Sequence, residues 1–484
     1  MKNKIASFSN SLMILLLIIA AVSCQKLREE PAGISTPANF YTTAGQCEAA
    51  YAGSMNALFS TWNGYQNGYL FPDGQFEGAS LDFSVGTFNE LWTLHYKSIA
   101  NINAVLKAVK GGSLAGNSPE TIANIVAQGR FLRAFNYFTL VRLYGKIPYI
   151  TEDTPDPIST PLTPDSRLEI AGVYDLIEAD LTYAAENLPD YDAGTPGKPN
   201  KWVAKGFLAK VYLTRATAPL NQTDNYAKAR DMADDIIMNG PYNLLPAFED
   251  VFMTSNNHSQ EIMFAFHTTP DAPYMPGNVW APSEMDGWSS GPVKILWATT
   301  IYPEQPRKHS YILLDFTADI YDPSAPTINW SESSDGVPYI GKLNMPNLTY
   351  DEQVGGGDAG IEMKILRFAD ILMIYAEAAN MAGAGPTQLA VDRLNLIIDR
   401  ANEGTGTEPR ATLAMSQAEF DKKVIDERSF ELCFENDRYF DVLRKRLLLE
   451  VNLPDNADGY DENDYLLPIP ALDAKSLGQN PGYE

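Results

Sequence analysis

Apolar residues recur at helical spacing along most of the chain outside its middle part. The pattern predicts helices over residues 44–60, 88–110, 119–144, 167–188, 201–216, 224–239, 362–382, 386–402 and 416–450. The third helix has the clearest start, since Ser118 is a capping residue, Pro119 suits the first helical position and Glu120 is an acid in the first turn. Gly145 and Pro148 predict its end.

Several predicted helices form pairs with short joins. In the pair 362–382 and 386–402, alanines and larger aliphatic residues line one face of each helix, which lets antiparallel helices pack closely. The pair 201–216 and 224–239 follows the same plan. Helix pairs of about 34 residues are typical of tetratricopeptide repeats. Because no strict repeat consensus is present, we predict tetratricopeptide-like pairs in a mainly α fold.

Residues 241–360 have a different pattern, rich in Pro, Gly, Ser, Asn and aromatic residues, with little helical periodicity. A structureless loop of this length would be unusual inside a compact domain. We therefore predict an irregular, loop-rich lobe with minor β structure. It would lie between an N-terminal helical region, 41–240, and a C-terminal helical region, 361–484.

The N-terminus reads as a bacterial lipoprotein signal. Lys2 and Lys4 precede an apolar run over residues 12–22, and the small Ser23 stands before Cys24. We predict a signal peptide over 1–23, a lipid such as palmitate on the Cys24 thiol, and a tether over 24–40. An uncleaved anchor is the first alternative, but the apolar run is about half of the roughly 20 residues that span a bilayer. An ordinary signal peptide is the second.

Charge and cysteine usage narrow the function. The net charge of −25 argues against a nucleic-acid partner, because a phosphate backbone requires basic patches. Cys24 is assigned to the lipid, which leaves Cys47 and Cys433 of the three cysteines. Both have apolar neighbours, so we expect two buried thiols, and a disulfide between them is the alternative.

We expect no metal or other cofactor. The cysteines lack zinc-binding spacing, and the four histidines have no metal-ligand spacing. An acidic loop with Asp455, Asp458, Asp461 and Asp464 could hold Ca²⁺ through oxygen ligands. It lacks the EF-hand pattern, so a solvated loop is the favoured interpretation.

Four motifs occur together in one order. Residues 130–149 read RFLRAFNYFTLVRLYGKIPY, and residues 365–380 read ILRFADILMIYAEAAN. Residues 425–445 read IDERSFELCFENDRYFDVLRK, and the chain closes with YLLPIPALDAKSLGQNPGYE. With the lipoprotein signal ahead of them, these motifs resemble the SusD/RagB family of Bacteroidetes outer-membrane lipoproteins.

The resemblance implies both a fold and a task. The fold would be tetratricopeptide-like helix pairs packed against an irregular lobe. The protein would sit lipid-anchored on the cell surface, bind a nutrient, usually a glycan, and deliver it to a SusC-like TonB-dependent transporter. It would not be an enzyme. A peptide-binding, RagB-like receptor, a glycan-degrading enzyme and a purely structural lipoprotein are the alternatives.

Two aromatic clusters are the candidate ligand surface, because the C–H faces of a sugar ring pack on flat aromatic rings. The first cluster contains Trp62, Tyr65, Tyr69, Phe71 and Phe76, interleaved with polar residues that include Asp73. The second contains Tyr274, Trp280, Trp288, Trp297 and Tyr302. We predict ligand binding by Trp62, Tyr65, Asp73, Trp280, Trp288, Trp297 and Tyr302. The alternative is that these rings form the core of the lobe.

Motifs that suggest catalysis have structural explanations. Residues 287–291 match G-x-S-x-G, but Pro292 follows where a nucleophile elbow requires a helix. Residues 355–360 match G-x-G-x-x-G without a βαβ unit around them. Glu427, Glu431 and Glu435 share one helical face with basic residues, which favours ion pairs over a pair of catalytic carboxylates. We expect Arg130 and Arg133 to pair with these acids.

Overall fold

The computed structural model describes residues 40–64, 73–76, 87–155, 161–194, 197–267, 280–285, 287–317, 324–342, 362–435, 437–452 and 460–483. The chain divides into two units, Met1–Phe40 and Tyr41–Glu484. The helices and strands that follow all belong to the second unit. The predicted signal peptide, Cys24 and the tether up to residue 39 lie outside the described residues.

The N-terminal region consists of helices that pack on each other in chain order. They are α1 (Ala44–Gly64), α2 (Thr87–Lys110), α3 (Pro119–Tyr144), α4 (Ile170–Asn187), α5 (Lys201–Ala216) and α6 (Asn225–Asn239), with a short antiparallel pair between α3 and α4, β1 (Ile147–Pro148) and β2 (Arg167–Leu168). The capping prediction for α3 is confirmed: Thr121 N–H donates to the Ser118 hydroxyl oxygen at 3.1 Å. Asn200 caps α5 in the same way, accepting from Trp202 N–H and Val203 N–H.

The irregular lobe contains short elements between loops. They are β3 (Ile262–Phe266), a π-helical turn (Trp297–Ile301), α7 (Pro306–Tyr311), β4 (Ile312–Leu313), β5 (Asp315–Thr317), β6 (Thr327–Asn329) and β7 (Tyr339–Ile340). Strand β4 pairs with β7 and β5 pairs with β6, both antiparallel. The predicted minor β content is therefore present.

The C-terminal region returns to helices. Its elements are β8 (Met363–Arg367), α8 (Phe368–Ala382), α9 (Gln388–Asn402), α10 (Gln417–Glu431), α11 (Arg438–Lys445), α12 (Leu448–Val451) and α13 (Ala471–Leu477). Helix α8 packs against α6 as well as against α9 and α10. The C-terminal helices thus continue the stack begun by the N-terminal ones, and the predicted mainly α fold is confirmed. Among the described helices, none combines the length and the apolar character needed to cross a membrane.

Two predicted helices differ most from the observed elements. Residues 363–367 form strand β8, which pairs antiparallel with β3, instead of the first turns of α8. A short apolar run fits a buried strand as well as a helix. Here, pairing with β3 makes the run a strand. The predicted helix 416–450 is broken into α10, α11 and α12. Phe434, with φ 60°, lies between α10 and α11, and Arg446, with φ 59°, lies between α11 and α12. A right-handed helix does not continue through residues in this left-handed conformation.

The lobe has its own core. It is formed by Phe248, Phe252, Trp280, Val293, Trp297, Tyr302, Tyr311, Ile312 and Ile340, and it includes Phe430 of α10 and Cys433 just after that helix. Cys47 lies in the separate core of the helices. Both cysteines carry free, buried thiols, so the prediction of two core thiols is confirmed.

Buried ion pairs connect the lobe with the helices. The acids on α10 and just after it are paired with Arg307 and Lys342 of the lobe, with Arg367 at the end of β8 and with Arg400 of α9. Arg307 Nη1 lies 2.7 Å from Glu427 Oε1 and 2.6 Å from Glu431 Oε2. The expected structural role of these acids is therefore present.

The expected partners of Arg130 and Arg133 were wrong. Arg133 Nε donates to Asp180 Oδ2 at 2.7 Å, and its guanidinium also pairs with Glu152. Arg130 Nε lies 4.0 Å from Asp180 Oδ1. Because α3 packs directly on α4, its arginines reach the acid on that neighbour, whereas the acids of α10 are already paired.

Candidate functional site

The structure separates the predicted aromatic residues into exposed and buried ones. Trp288 is 61% exposed, whereas Trp280, Trp297 and Tyr302 are 6%, 4% and 2% exposed. An aromatic ring binds a sugar by offering a free face. Of these four residues, only Trp288 has the exposure that such a contact requires.

Trp280, Trp297 and Tyr302 have their rings packed inside the lobe. The rings of Trp297 and Tyr302 meet edge to face at 5.1 Å, and Trp297 Nε1 donates to Ser429 Oγ at 3.3 Å. The Tyr302 hydroxyl donates to the Phe430 carbonyl at 3.2 Å. For these three residues the structure favours the core alternative over the predicted ligand contacts, because their rings are buried against other side chains of the lobe core.

The first aromatic cluster is only partly within the described chain. The backbone of Trp62 lies in α1, but its side chain, Tyr65, Tyr69 and Phe71 fall outside the described residues, as does Tyr274 of the second cluster. Phe76 packs on Trp280, with ring centroids 6.4 Å apart. Lys294 N–H donates to the Gln75 carbonyl at 2.8 Å. The two aromatic clusters therefore come into contact through residues 75–76 and residues 280 and 294. This contact is largely buried, and we call it the seam.

Asp73 lies at this seam and is buried. Gln75 N–H donates to its Oδ1 at 2.9 Å. Burial raises the pKa of Asp73 to about 6, although the Gln75 hydrogen bond and the charge of Arg438 act in the opposite direction. Asp73 therefore has a structural position, and the predicted direct contact with a ligand is not supported by its burial.

Trp288 stands on a tightly held turn. Gly287 N–H donates to the Pro282 carbonyl at 3.0 Å and Ser289 N–H donates to the Ala281 carbonyl at 2.9 Å. A Cβ on Gly287 would lie 2.2 Å from the Ala281 carbonyl oxygen, so this position requires glycine. Ser289 has φ 51°, a strained conformation for a residue with a side chain. The turn holds the indole in solvent.

Polar groups surround the base of this turn. Ser283 N–H donates to Ser289 Oγ at 3.1 Å, and the hydroxyl oxygens of Ser283 and Ser334 lie 3.2 Å apart. Ser334 N–H donates to Glu284 Oε1 at 2.7 Å. Partial burial alone would raise the pKa of Glu284, but this hydrogen bond lowers it below its ordinary value. We call these residues, with Trp288, the Trp288 surface: an exposed indole beside hydroxyls and an ionised carboxylate.

The G-x-S-x-G match belongs to the same turn and has no nucleophile geometry. Ser289 Oγ already accepts a hydrogen bond from Ser283. The chain continues from it as an extended segment in which Pro292 bridges Tyr339, instead of entering a helix. The buried Glu427 and Glu431 share Arg307, so they are not an open pair of catalytic carboxylates. Neither motif supports hydrolysis.

The acidic loop, for which calcium binding was the alternative to a solvated loop, is only partly within the described residues. Asp461 Oδ1 accepts from Asn463 N–H at 2.6 Å, and Asp464 Oδ2 accepts from Asp461 N–H at 2.7 Å. These two carboxylates therefore cap a short 3₁₀ turn. Asp455 and Asp458 lie outside the described residues.

A pair of clefts forms a second candidate site, which the sequence pattern does not predict. Two adjoining clefts of about 220 and 260 Å³ lie between α1, α3, the loop before α5 and β3. Lys198 Nζ and Glu48 Oε2, 2.9 Å apart, are on their walls. His258 and His267 line the first cleft and lie next to Glu362. No local spacing reveals this set, because Glu362 joins the histidines only through strand pairing.

Two family models match the chain. The one described as "SusD family" matches residues 296–483, and the one described as "Starch-binding associating with outer membrane" matches residues 38–213. The matches fall on both helical regions and on the second half of the lobe.

Relatives and solved structures agree with these matches. The SusD-like protein P2 of Formosa agariphila is 28% identical over 97% of this chain and 98% of its own. A SusD homolog from Bacteroides thetaiotaomicron has a crystal structure that superposes with a TM-score of 0.75 at 20% identity, covering 92% of this chain and 98% of the other. A structure named "Laminarin binding SusD-like protein" superposes with a TM-score of 0.69 at 21% identity, covering 91% and 99%. The chain belongs to the SusD family.

Proposed function

We propose that this protein binds an oligosaccharide at the outer membrane through the Trp288 surface and delivers it to a SusC-like TonB-dependent transporter. The lipid on Cys24 would anchor it, facing outward from the cell. Membership of the SusD family supports the class of function, and one structural neighbour carries laminarin binding in its name. No catalytic step is part of the proposal, because the candidate acids are paired and buried.

The exposed indole of Trp288 is the observation that carries the proposal. With 61% of its surface exposed, the indole has a face available to pack on the C–H face of a sugar ring. Its turn is already ordered by backbone hydrogen bonds to Ala281 and Pro282, so binding requires little further loss of conformational entropy. The neighbouring Ser283, Ser334 and Glu284 offer the hydrogen-bonding groups that sugar hydroxyls need.

Affinity gel electrophoresis with embedded polysaccharides, starting with laminarin and starch, tests this function. We expect one of them to retard the wild-type protein and Trp288→Ala to weaken that retardation at least about tenfold in apparent Kd, as for other aromatic anchors. Leu472→Ala is the matched control, because Leu472 is 79% exposed on α13 and lies outside the Trp288 surface.

Two outcomes would contradict separate parts of the proposal. Equal retardation of Trp288→Ala and the wild-type protein would remove Trp288 from the site while leaving glycan binding in place. A wild-type protein that no polysaccharide retards, but that binds peptides from a protein digest, would overturn glycan binding in favour of the peptide-receptor alternative.

A further inference from the structure

Pairing of strands β3 and β8 brings a histidine and a glutamate face to face. The last pair in their register joins Phe266 with Met363. His267 follows the first of these residues and Glu362 precedes the second, so the two lie opposite each other at the end of the ladder. His267 Nδ1 is in hydrogen-bond contact with Glu362 Oε1.

A second histidine approaches the same carboxylate from the turn before β3. His258 has φ 68°, a conformation that residues with side chains adopt rarely, and the turn directs its ring towards His267. The two ring centroids are 4.5 Å apart. His258 Nε2 lies 3.5 Å from Glu362 Oε1, and one donor atom from each of the three residues lies within 4.8 Å of the other two.

The carboxylate has unused coordination capacity. Glu362 is 2% exposed, and its Oε2 has no hydrogen-bond partner among the described residues. An unsatisfied carboxylate oxygen at this depth is costly in free energy. A cation bound between the three side chains would remove that cost.

The position of the His267 ring fixes which of its nitrogens faces the carboxylate. The ring lies against Gly197, where a Cβ would be 1.7 Å from Cδ2 and 1.8 Å from Nε2. Gly197 therefore makes room for the ring, and it has φ 78°, which glycine tolerates best. With Nε2 against the backbone of Gly197, Nδ1 is the nitrogen that faces Glu362.

We propose that His258, His267 and Glu362 form a binding site for a transition-metal ion, with Zn²⁺ as the best fit. Two imidazole nitrogens and one carboxylate are a donor set that zinc takes with an open fourth position. Ligand atoms about 2.0–2.1 Å from a tetrahedral zinc lie roughly 3.3 Å apart. His258 Nε2 lies 3.5 Å from Glu362 Oε1, close to that distance. His267 Nδ1 is in direct hydrogen-bond contact with the same oxygen, so zinc would replace the proton between them and move the two atoms apart. Calcium and magnesium prefer sets made of oxygen alone.

The site faces the first cleft, because both imidazole rings line it. A water molecule or an oxygen of a bound molecule can complete the coordination from that side. The buried Lys364 attracts the same carboxylate, so its charge opposes any bound cation. The proposal does not rest on glycan binding.

Isothermal titration of the purified, metal-stripped protein with ZnCl₂ tests the site. We expect one Zn²⁺ per chain. Removing a side chain that only hydrogen-bonds to a metal ligand typically lowers metal affinity 10–100-fold. Removing a ligand itself should cost at least as much, so we expect His258→Ala and His267→Ala each to weaken zinc binding at least about tenfold. Cobalt(II) in place of zinc should give visible absorption bands typical of four-coordinate cobalt.

A control variant and two conservative choices of variant keep the test specific. His309→Ala is the control, because His309 is exposed and contacts Glu304 away from the site. His258 lies on a surface turn, so its variant is expected to fold, and Glu362→Gln keeps the size of the buried side chain. Circular dichroism checks that each variant is folded. A wild-type protein that binds no zinc, or folded His258→Ala and Glu362→Gln variants with unchanged zinc affinity, would overturn the proposal.

Discussion

At the residue scale, Asp73 connects burial with pH dependence. Its pKa rises from an ordinary 3.8 to about 6 because burial disfavours the charged carboxylate. The folded protein therefore holds this proton more tightly than the unfolded chain does. The stability contributed by the protonated group is fully present below pH 3.8 and is lost as the pH rises through 6.

Asp73→Asn should remove this pH dependence. Asparagine keeps an oxygen that can accept from Gln75 N–H but carries no charge to bury. We expect the variant to be about 2–3 kcal/mol more stable than the wild-type protein at pH 7.5 and about 1 kcal/mol more stable at pH 4.5. Urea denaturation at both pH values measures the two differences.

Asp392→Asn is the control for this prediction, because Asp392 is exposed on α9 and its Oδ1 accepts a surface hydrogen bond from Gln388. We expect this variant to show little change at either pH. A stability difference for Asp73→Asn that stays constant between pH 4.5 and 7.5 would contradict the raised pKa of Asp73.

The sequence indicated which kinds of residue matter but not where each would lie. Trp280 and Trp288 have the same side chain eight positions apart, yet one is core and the other is exposed. Gly291 explains part of the difference because it leaves room for the buried Trp280 ring. A Cβ at position 291 would lie 2.1 Å from that ring. The cluster of His258, His267 and Glu362 depends on strand register, which the local pattern could not provide.

At the scale of elements, helix α10 is the structural link between lobe and scaffold. Its acids face inward and are met by Arg307 from α7 and by Arg367 from β8. Breaking such a pair leaves a buried charge without compensation, which costs more than the pair contributes when it is intact.

Arg307→Met should destabilise the protein by about 3–5 kcal/mol, because Glu427 and Glu431 would lose a buried cation. Chemical denaturation followed by tryptophan fluorescence measures the change. Arg410→Met is the control, since Arg410 pairs with Asp399 at 3.2 Å on the exposed surface and should contribute about 0–1 kcal/mol. Equal effects of the two substitutions would show that the buried network does not hold the lobe in place.

Long helices with clear caps were the most predictable elements. The bounds of α3 and α5 match their predictions residue for residue, because capping residues and apolar periodicity agree there. The prediction of one continuous helix over 416–450 failed because apolar periodicity persists across the left-handed Phe434 and Arg446. The prediction for Arg133 failed for a different reason. A buried arginine predicts an acidic partner, but only the packing of α3 on α4 identifies that partner as Asp180.

At the scale of the whole molecule, the proposed function requires a membrane anchor as well as a binding surface. The family matches fall on both helical regions, and the Trp288 surface lies in the lobe. The predicted tether, 24–40, precedes the folded unit that begins at Tyr41. A lipid on Cys24 would keep the binding surface close to a transporter without fixing its orientation.

Cys24→Ala should separate anchoring from binding. The variant has no thiol for the lipid, so we expect it to lose palmitate labelling and to leave the membrane fraction, because acyl chains supply the anchoring free energy. Its affinity for the polysaccharide that retards the wild-type protein should not change, since Trp288 lies in the folded unit. Cellular uptake of that polysaccharide should fall, because the binding protein would no longer be held beside its transporter.

Ser23→Ala is the matched control for this experiment, because it keeps both Cys24 and a small residue before the cleavage site. It should be labelled, anchored and active in uptake like the wild-type protein. If Cys24→Ala remained in the membrane fraction, an uncleaved anchor would replace the lipid. If it were released and uptake persisted, delivery would not depend on tethering, and the transporter would have to bind the protein tightly enough without its lipid.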